Sequence, residues 1–567
     1  VMKFTLLFLV VQFFSCSQSY VKSYTDLESA FTDWYFKFHP VESTHYGSDE
    51  YNSTFRRLDV DAREEYLADV QRFRIELSQI DETKLPQVEF VNHLILTQFL
   101  ASEVYYLQTE RRYEWDASLY PEMIYNGIVA LVDLDYLDMN GRTYALEQRL
   151  RVSISVLDDA YQNLKFYSNF HKLKLSKIIN ALNILLDELP LKVMSDNQTL
   201  DKIDSHIRSL QRALKEYKQW VDDDYTTLET YDHKMDPSEI ENLFTHRVGE
   251  AYSIGKISPL AEKRIARIQN QLFDLSLPFY LQKNDEPVWV DRDDSLLVIY
   301  WVLEDLDNNA VSPQEYISSV YAASKKVQDE LRKNRELFIL STPNIQIRFD
   351  ETYSLSTTLT RVGRFQLNSH NTDVEYLVKP LGEGVTSHSI VNKYELDIMV
   401  MKDLSPGELQ LQQSLSKNSE LLRQIIQNDV TKYGWQQYAS SYFINSGFGG
   451  GENYAYALTS LYHALQIAGL SWMELQLGYH EVDATQISLE LASKINISPM
   501  EAKVYIDNFH EAPFHFTQQF IGGIEMERLL TDYKRKNENI ISLRKFHSRI
   551  LSEGSIPIFQ LRKIILN

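Results

Sequence analysis

The residues that could do chemistry are few and scattered. His510-Glu511-Ala512-Pro513-Phe514-His515 brings two histidines near an acid, but the rings are five positions apart. Five helical steps turn through about 500°, so the rings cannot share a face as i and i+4 would, and Pro513 argues against an unbroken helix. His480 stands between Glu474 and Glu481. A single imidazole without a nucleophile or fellow ligands reads first as a hydrogen-bonded structural histidine. Glycines 447, 449, 450 and 451 fall in Gly-Phe-Gly-Gly-Gly, yet no Lys-Ser or Lys-Thr follows and Glu452 would repel phosphate. An interhelical loop is expected there, not a phosphate cradle. The sequence has no Gly-x-Ser-x-Gly elbow and one cysteine, Cys16, so an activated nucleophile is hard to assign. If the chain is a peptide hydrolase, His480, His515, Glu474 and Glu481 are the side chains left to do the work.

Cys16 belongs to a different chemistry. Lys3 precedes an apolar run over residues 4–14 broken only by Thr5 and Gln12, and the cysteine follows in Phe13-Phe14-Ser15-Cys16. That run is too short for a stable membrane anchor and has the build of an export signal over residues 1–17. The cysteine is placed as in a bacterial lipoprotein signal, where it becomes the lipidated first residue, with Phe13 where Leu is usual. The alternative is simple secretion with the cysteine discarded. Either way the mature body has no disulfide, which favours a bacterial envelope over a large eukaryotic extracellular protein. Contact with a membrane is expected only through this anchor.

Composition bounds the partners. Acidic residues outnumber basic ones 79 to 57, a net charge of −22, which repels phosphate backbones and excludes nucleic acid. The 567 residues, 44% hydrophobic, suffice for two or three lobes with their own cores.

The elements that must position these residues are mainly helices. Ser312-Pro313-Gln314-Glu315, Ser405-Pro406-Gly407-Glu408, Ser498-Pro499-Met500-Glu501 and Asp236-Pro237-Ser238-Glu239 each read as a capped helix start with proline at the first helical position. Apolar spacing of three and four follows, as at Tyr316, Val320, Tyr321 and Val327. Ile345-Gln346-Ile347-Arg348-Phe349 and Arg364-Phe365-Gln366-Leu367-Asn368 alternate instead and predict short strands of one small sheet in the C-terminal half. A helical N-terminal lobe over residues 20–282 and a C-terminal lobe over 286–567 are expected, divided near Asp285-Glu286-Pro287.

Several stretches, taken in order, resemble one family. Phe38-His39-Pro40-Val41-Glu42-Ser43-Thr44-His45-Tyr46-Gly47 opens the likeness, and Phe244-Thr245-His246-Arg247-Val248-Gly249 continues it. Phe546-His547, then Leu551-Ser552-Glu553-Gly554-Ser555-Ile556-Pro557 and Leu561-Arg562, close it. From about Leu27 onward the chain is similar to domain-of-unknown-function family 885, large and mostly bacterial proteins that look like zinc peptidases. The resemblance implies a multi-helical, metallopeptidase-like fold. It also implies a motif H-E-x-x-P-G-H-H-x-Q, followed some thirty residues later by E-G-W-A-x-Y. Zinc there would need three nitrogen or oxygen ligands and an open position for water.

The matching stretches keep the backbone of that motif and lose its ligands. Pro406-Gly407 stands, but Lys402 and Asp403 occupy the His-Glu positions, and Glu408 and Leu409 occupy the His-His positions. Tyr433 of Tyr433-Gly434-Trp435 replaces the later Glu. Gln519 stands where the family has a tyrosine able to stabilise an oxyanion. A protonated lysine has no lone pair to offer a metal. The expectation is therefore a non-catalytic relative without zinc, its cleft kept for a peptide or small ligand. An ion pair of Lys402 with Glu408 or Asp403 would replace the metal's charge. A rearranged peptide hydrolase and a purely structural envelope lipoprotein are the alternatives.

Overall fold

The computed structural model describes residues 23–132, 138–192, 197–231, 236–284, 295–337, 344–349, 360–362, 374–378, 391–417, 420–479, 483–509, 511–537 and 542–567. Cys16, His480, Glu481, His510 and the expected strand at 364–368 lie outside them. The described chain is mainly helical, and periodicity explains why. Helix Asn197–Asp223 buries Ile203, Ile207, Leu210, Leu214, Tyr217 and Val221, steps of three and four that keep one stripe against the core. Helix Ile254–Lys283 does the same with Ile254, Ile257, Ala261, Ile265, Ile268 and Leu272. Each such side chain contributes about 1.5–3 kcal/mol when fully buried.

Two of the four proline-bearing starts form as expected. Asp236 caps helix Pro237–Val248 with a reciprocal bond from Glu239, and the Ser498 hydroxyl accepts the Glu501 amide at the head of helix Pro499–Asn508. Ser312 instead opens a short 3₁₀ turn, Pro313–Glu315, ahead of helix Tyr316–Lys333. Ser405 caps nothing: helix Glu408–Ser416 starts with Gly407 at its N-cap and no side-chain bond, and the Ser405–Pro406 peptide is cis. Tyr321, expected in the apolar stripe, is 46% exposed, and its hydroxyl accepts from the Ile347 amide.

The strand expected at Ile345–Phe349 forms. It pairs in parallel with Val374–Val378, whose other edge takes Thr360–Val362 antiparallel. The apolar interior divides into two cores. One gathers side chains from Tyr24 to Tyr225 together with Leu422. The other gathers Val91, Ile95 and Tyr105 with residues from Ile240 to Ile565. The cores thus part between Tyr225 and Ile240, ahead of the limit at 282, because helix Ile254–Lys283 lays its buried face against helix Asn453–Tyr479. Helix Gln87–Tyr105 feeds both cores: Leu96 and Leu100 face the first, Val91 and Ile95 the second. No described helix is long and apolar enough to cross a membrane.

Candidate functional site: a polar cleft between the two cores

Helices Asp429–Asn445 and His515–Lys536 cross at glycines. A Cβ on Gly434 would lie 2.6 Å from the Gly522 carbonyl oxygen, and one on Gly522 would lie 2.1 Å from that of Val430. Backbone contact at this crossing brings the side chains around it together. The Tyr433 and His515 rings meet edge to face at 5.1 Å. The Gln519 amide donates to His515 Nε2 at 2.8 Å, which leaves the ring proton on Nδ1, and Gln437 donates to the Gln519 carbonyl.

The positions that the resemblance matches to zinc ligands do not converge. Glu408 accepts from Gln412 at 2.9 Å and from Gln436 at 2.6 Å, so both its oxygens are taken. Burial raises its carboxyl above the usual range, against the nearby Lys432. Lys432 pairs with Asp429 at 2.9 Å and lies over the Tyr433 ring. Burial pushes the Tyr433 phenol up to about 12. Lys402 belongs to a second group. Its ammonium is 3.4 Å from His463 Nδ1, and burial lowers it to about 8 against the pull of Asp403 and Glu395. Asp403 also accepts the Tyr376 hydroxyl. Lys402 thus meets His463, with the charges of Asp403 and Glu395 acting on it, whereas Glu408 is held by Gln412 and Gln436. Leu409 is fully buried in the second core. Zinc does not fit these positions: a lysine, a leucine, a tyrosine and an amide-bonded glutamate divide between two places. Among the described residues, no three His, Cys, Asp or Glu side chains gather as a metal would require.

The remaining candidates separate as well. Glu474 is 1% exposed. Its oxygens accept the amides of Phe516 and Thr517 and the Thr517 hydroxyl, at 3.1, 2.7 and 2.8 Å. It caps helix His515–Lys536 from outside, where Phe514 at φ 64° offers no side-chain cap. His515 lines a cavity, and burial holds its imidazole down at about 4, so it is neutral near pH 7. His547, in the closing stretch, is structural: it bonds the Tyr438 hydroxyl at 2.7 Å and the Glu336 carbonyl at 2.9 Å. The 447–451 loop has positive φ at Gly447, Gly449 and Gly450 and joins two helices, as the glycine run implies.

His515 opens onto a cavity of about 290 Å³ between the cores. One wall is helix Gln87–Tyr105, with Gln98, Phe99, Ser102 and Glu103. A single π turn, Tyr106–Glu110, continues that helix, a distortion common at functional sites. The end of helix Pro237–Val248 adds His246 and Arg247, and the loop before Asp429 adds Gln427 and Asn428. Ser555 and Pro557 close the floor. His246 stacks on Tyr105 at 4.5 Å and bonds Ser102, and burial lowers its pKa. Near the cleft Lys174 pairs with Glu511 at 2.7 Å, and Gln518 donates to the Arg247 carbonyl. Sequence reasoning missed this wall. Its only trace there was that 244–249 and 551–557 belong to the stretches that carry the family likeness.

Comparison with known proteins agrees on the fold. The chain aligns with a protein described as a candidate lipoprotein of unknown function from Shewanella oneidensis, at TM-score 0.78 and 15% identity, covering 96% of this chain and 100% of the other. A candidate lipoprotein from Colwellia psychrerythraea aligns at TM-score 0.74 and 12% identity, covering 96% and 99%. No curated protein matches. The family described as "Bacterial protein of unknown function (DUF885)" matches residues 40–565.

Proposed function

The chain belongs to the DUF885 family of bacterial proteins, and from that membership we propose that it is an exported, envelope-anchored, non-catalytic relative of zinc-peptidase-like proteins that binds a small ligand in the cleft between its cores. One observation carries this reading. The motif positions still matched here are those that hold backbone. Gly407 lies against Lys402, where a Cβ would come within 1.8 Å of the Lys402 carbonyl oxygen. The Trp435 indole donates to the carbonyls of Pro406 and Gly407 at 2.9 and 3.2 Å. Gly434 makes the helix crossing. The positions that differ are the ligands, and their replacements bond other neighbours: Lys402 meets His463, Asp403 accepts from Tyr376, Glu408 accepts from Gln412 and Gln436, and Leu409 is buried. The scaffold is kept and the metal's work is not. The open polar cleft beside His515 favours binding over a purely structural role.

Elemental analysis of the purified full chain, with a broad peptide-hydrolysis screen, tests this. We expect well under one equivalent of zinc and no turnover. A stoichiometric metal, or peptide cleavage lost in His515→Ala, would establish the rearranged hydrolase instead.

The anchor rests on Cys16 behind its apolar run, and it suits the two structural relatives described as candidate lipoproteins. In a bacterial host, mass spectrometry should find acyl groups on Cys16, and Cys16→Ser should leave the protein in the soluble fraction. Unmodified wild-type protein free in the medium would rule the anchor out.

A further inference from the structure

We propose that the cleft takes an uncharged, hydroxyl-rich ligand, a neutral saccharide of a ring or two, held by side-chain amides, hydroxyls and ring surface; the proposal rests on the binding reading above. The first argument is charge. Every ionisable side chain on the wall is already paired or neutral. Asp429 is held by Lys432 at 2.9 Å, and Arg247 by Glu110 at 3.1 Å. Glu103 accepts the Tyr66 hydroxyl at 2.7 Å and sits 3.8 Å from Arg56. His246 and His515 are both depressed by burial. A charged ligand would leave water and find no free countercharge, which is costly.

The second argument is the polar groups left over. Ser555 is 2% exposed, lines the cleft, and its hydroxyl has no hydrogen-bond partner among the described residues; the buried Arg247 Nε has none either. A ligand hydroxyl or a bound water can satisfy both atoms. Gln98, Gln427 and Asn428 add amides, and Phe99 and Tyr106 add ring surface. Amides that both donate and accept suit hydroxyls, which do the same. The third argument is size. At about 290 Å³ the cavity is at the small end for ligand sites, too small for a long peptide.

Calorimetric titration of the full chain with maltose, cellobiose and N,N′-diacetylchitobiose tests the ligand class, with a uronic-acid disaccharide and zwitterionic trialanine as charged probes. We expect at least one neutral disaccharide to bind, the uronic acid to bind at least tenfold more weakly, and Gln98→Ala to lose tenfold with an unchanged melting temperature. Glu110→Gln, which frees Arg247, should shift the preference toward the uronic acid. Binding of no neutral sugar, or equal or tighter binding of either charged probe, overturns the saccharide assignment and leaves the binding reading standing if a charged probe binds. Cleavage of trialanine overturns the binding reading itself.

Discussion

Gly522→Ala is expected to cost the fold about 3 kcal/mol or more, at the upper end of overpacking penalties. Its Cβ would meet the Val430 carbonyl oxygen at 2.1 Å and the Gly434 Cα and nitrogen at 2.8 Å. Those atoms are backbone on a neighbouring helix, so no rotamer change relieves them, and helices Asp429–Asn445 and His515–Lys536 must move apart. Neither Gly434 nor Gly522 has positive φ, so the requirement is space alone. Gly255, with nothing within 4 Å of its would-be Cβ, is the control: Gly255→Ala should be neutral or slightly stabilising. Separation of the helices would also draw Tyr433 away from His515 and open the network around Glu408. Urea denaturation of the three proteins reads the effect directly, and a Gly522→Ala midpoint equal to that of wild type would show that the crossing is not as close as described.

The second large effect is expected at Glu474. Glu474→Ala would leave two amides and a hydroxyl buried at the head of helix His515–Lys536 with no acceptor. With each orphaned donor costing about 1–3 kcal/mol, a loss of about 4 kcal/mol follows. Glu474→Gln keeps one carbonyl acceptor and should lose far less. Burial raises the Glu474 carboxyl from 4.5 to about 8, although the Thr517 and Phe516 donors pull the other way. The folded protein therefore holds a proton that the unfolded chain has released. That stabilisation is complete below the unfolded value, declines as pH rises above it by about 1.4 kcal/mol per unit, and is gone once pH passes about 8. Melting temperatures from pH 5 to 9 should fall more steeply for wild type than for Glu474→Gln. Parallel curves would mean that the carboxyl is already ionised.

These two residues mark how far the sequence could be read. Helix caps are local: Asp236 and Ser498 bond amides two or three residues away, so spacing alone reveals them. Ser405 has the same spacing and caps nothing, because Gly407 is packed against the Lys402 carbonyl and held by Trp435 from a distant helix. Glu474 suggested catalysis because an acid near a histidine invites it. Its real partners, Phe516 and Thr517, are more than forty positions on. Lys402 suggested an ion pair with Glu408 or Asp403; Glu408 is six positions on, yet the Pro-Gly turn between them directs Lys402 and Glu408 to different neighbours.

By itself the sequence determined the helical class, the glycine loop, the strand at Ile345–Phe349 and the family. All of these follow from neighbours along the chain or from the identity of a side chain. The tertiary structure alone decided where the cores part, which glycines must stay bare, and that Gln98, His246, Asp429, His515 and Ser555 share one cleft. Those residues come from five separate segments. Their meeting is fixed by how helix faces bury against one another, and packing of that kind is a property of pairs of surfaces that no single stretch of residues contains.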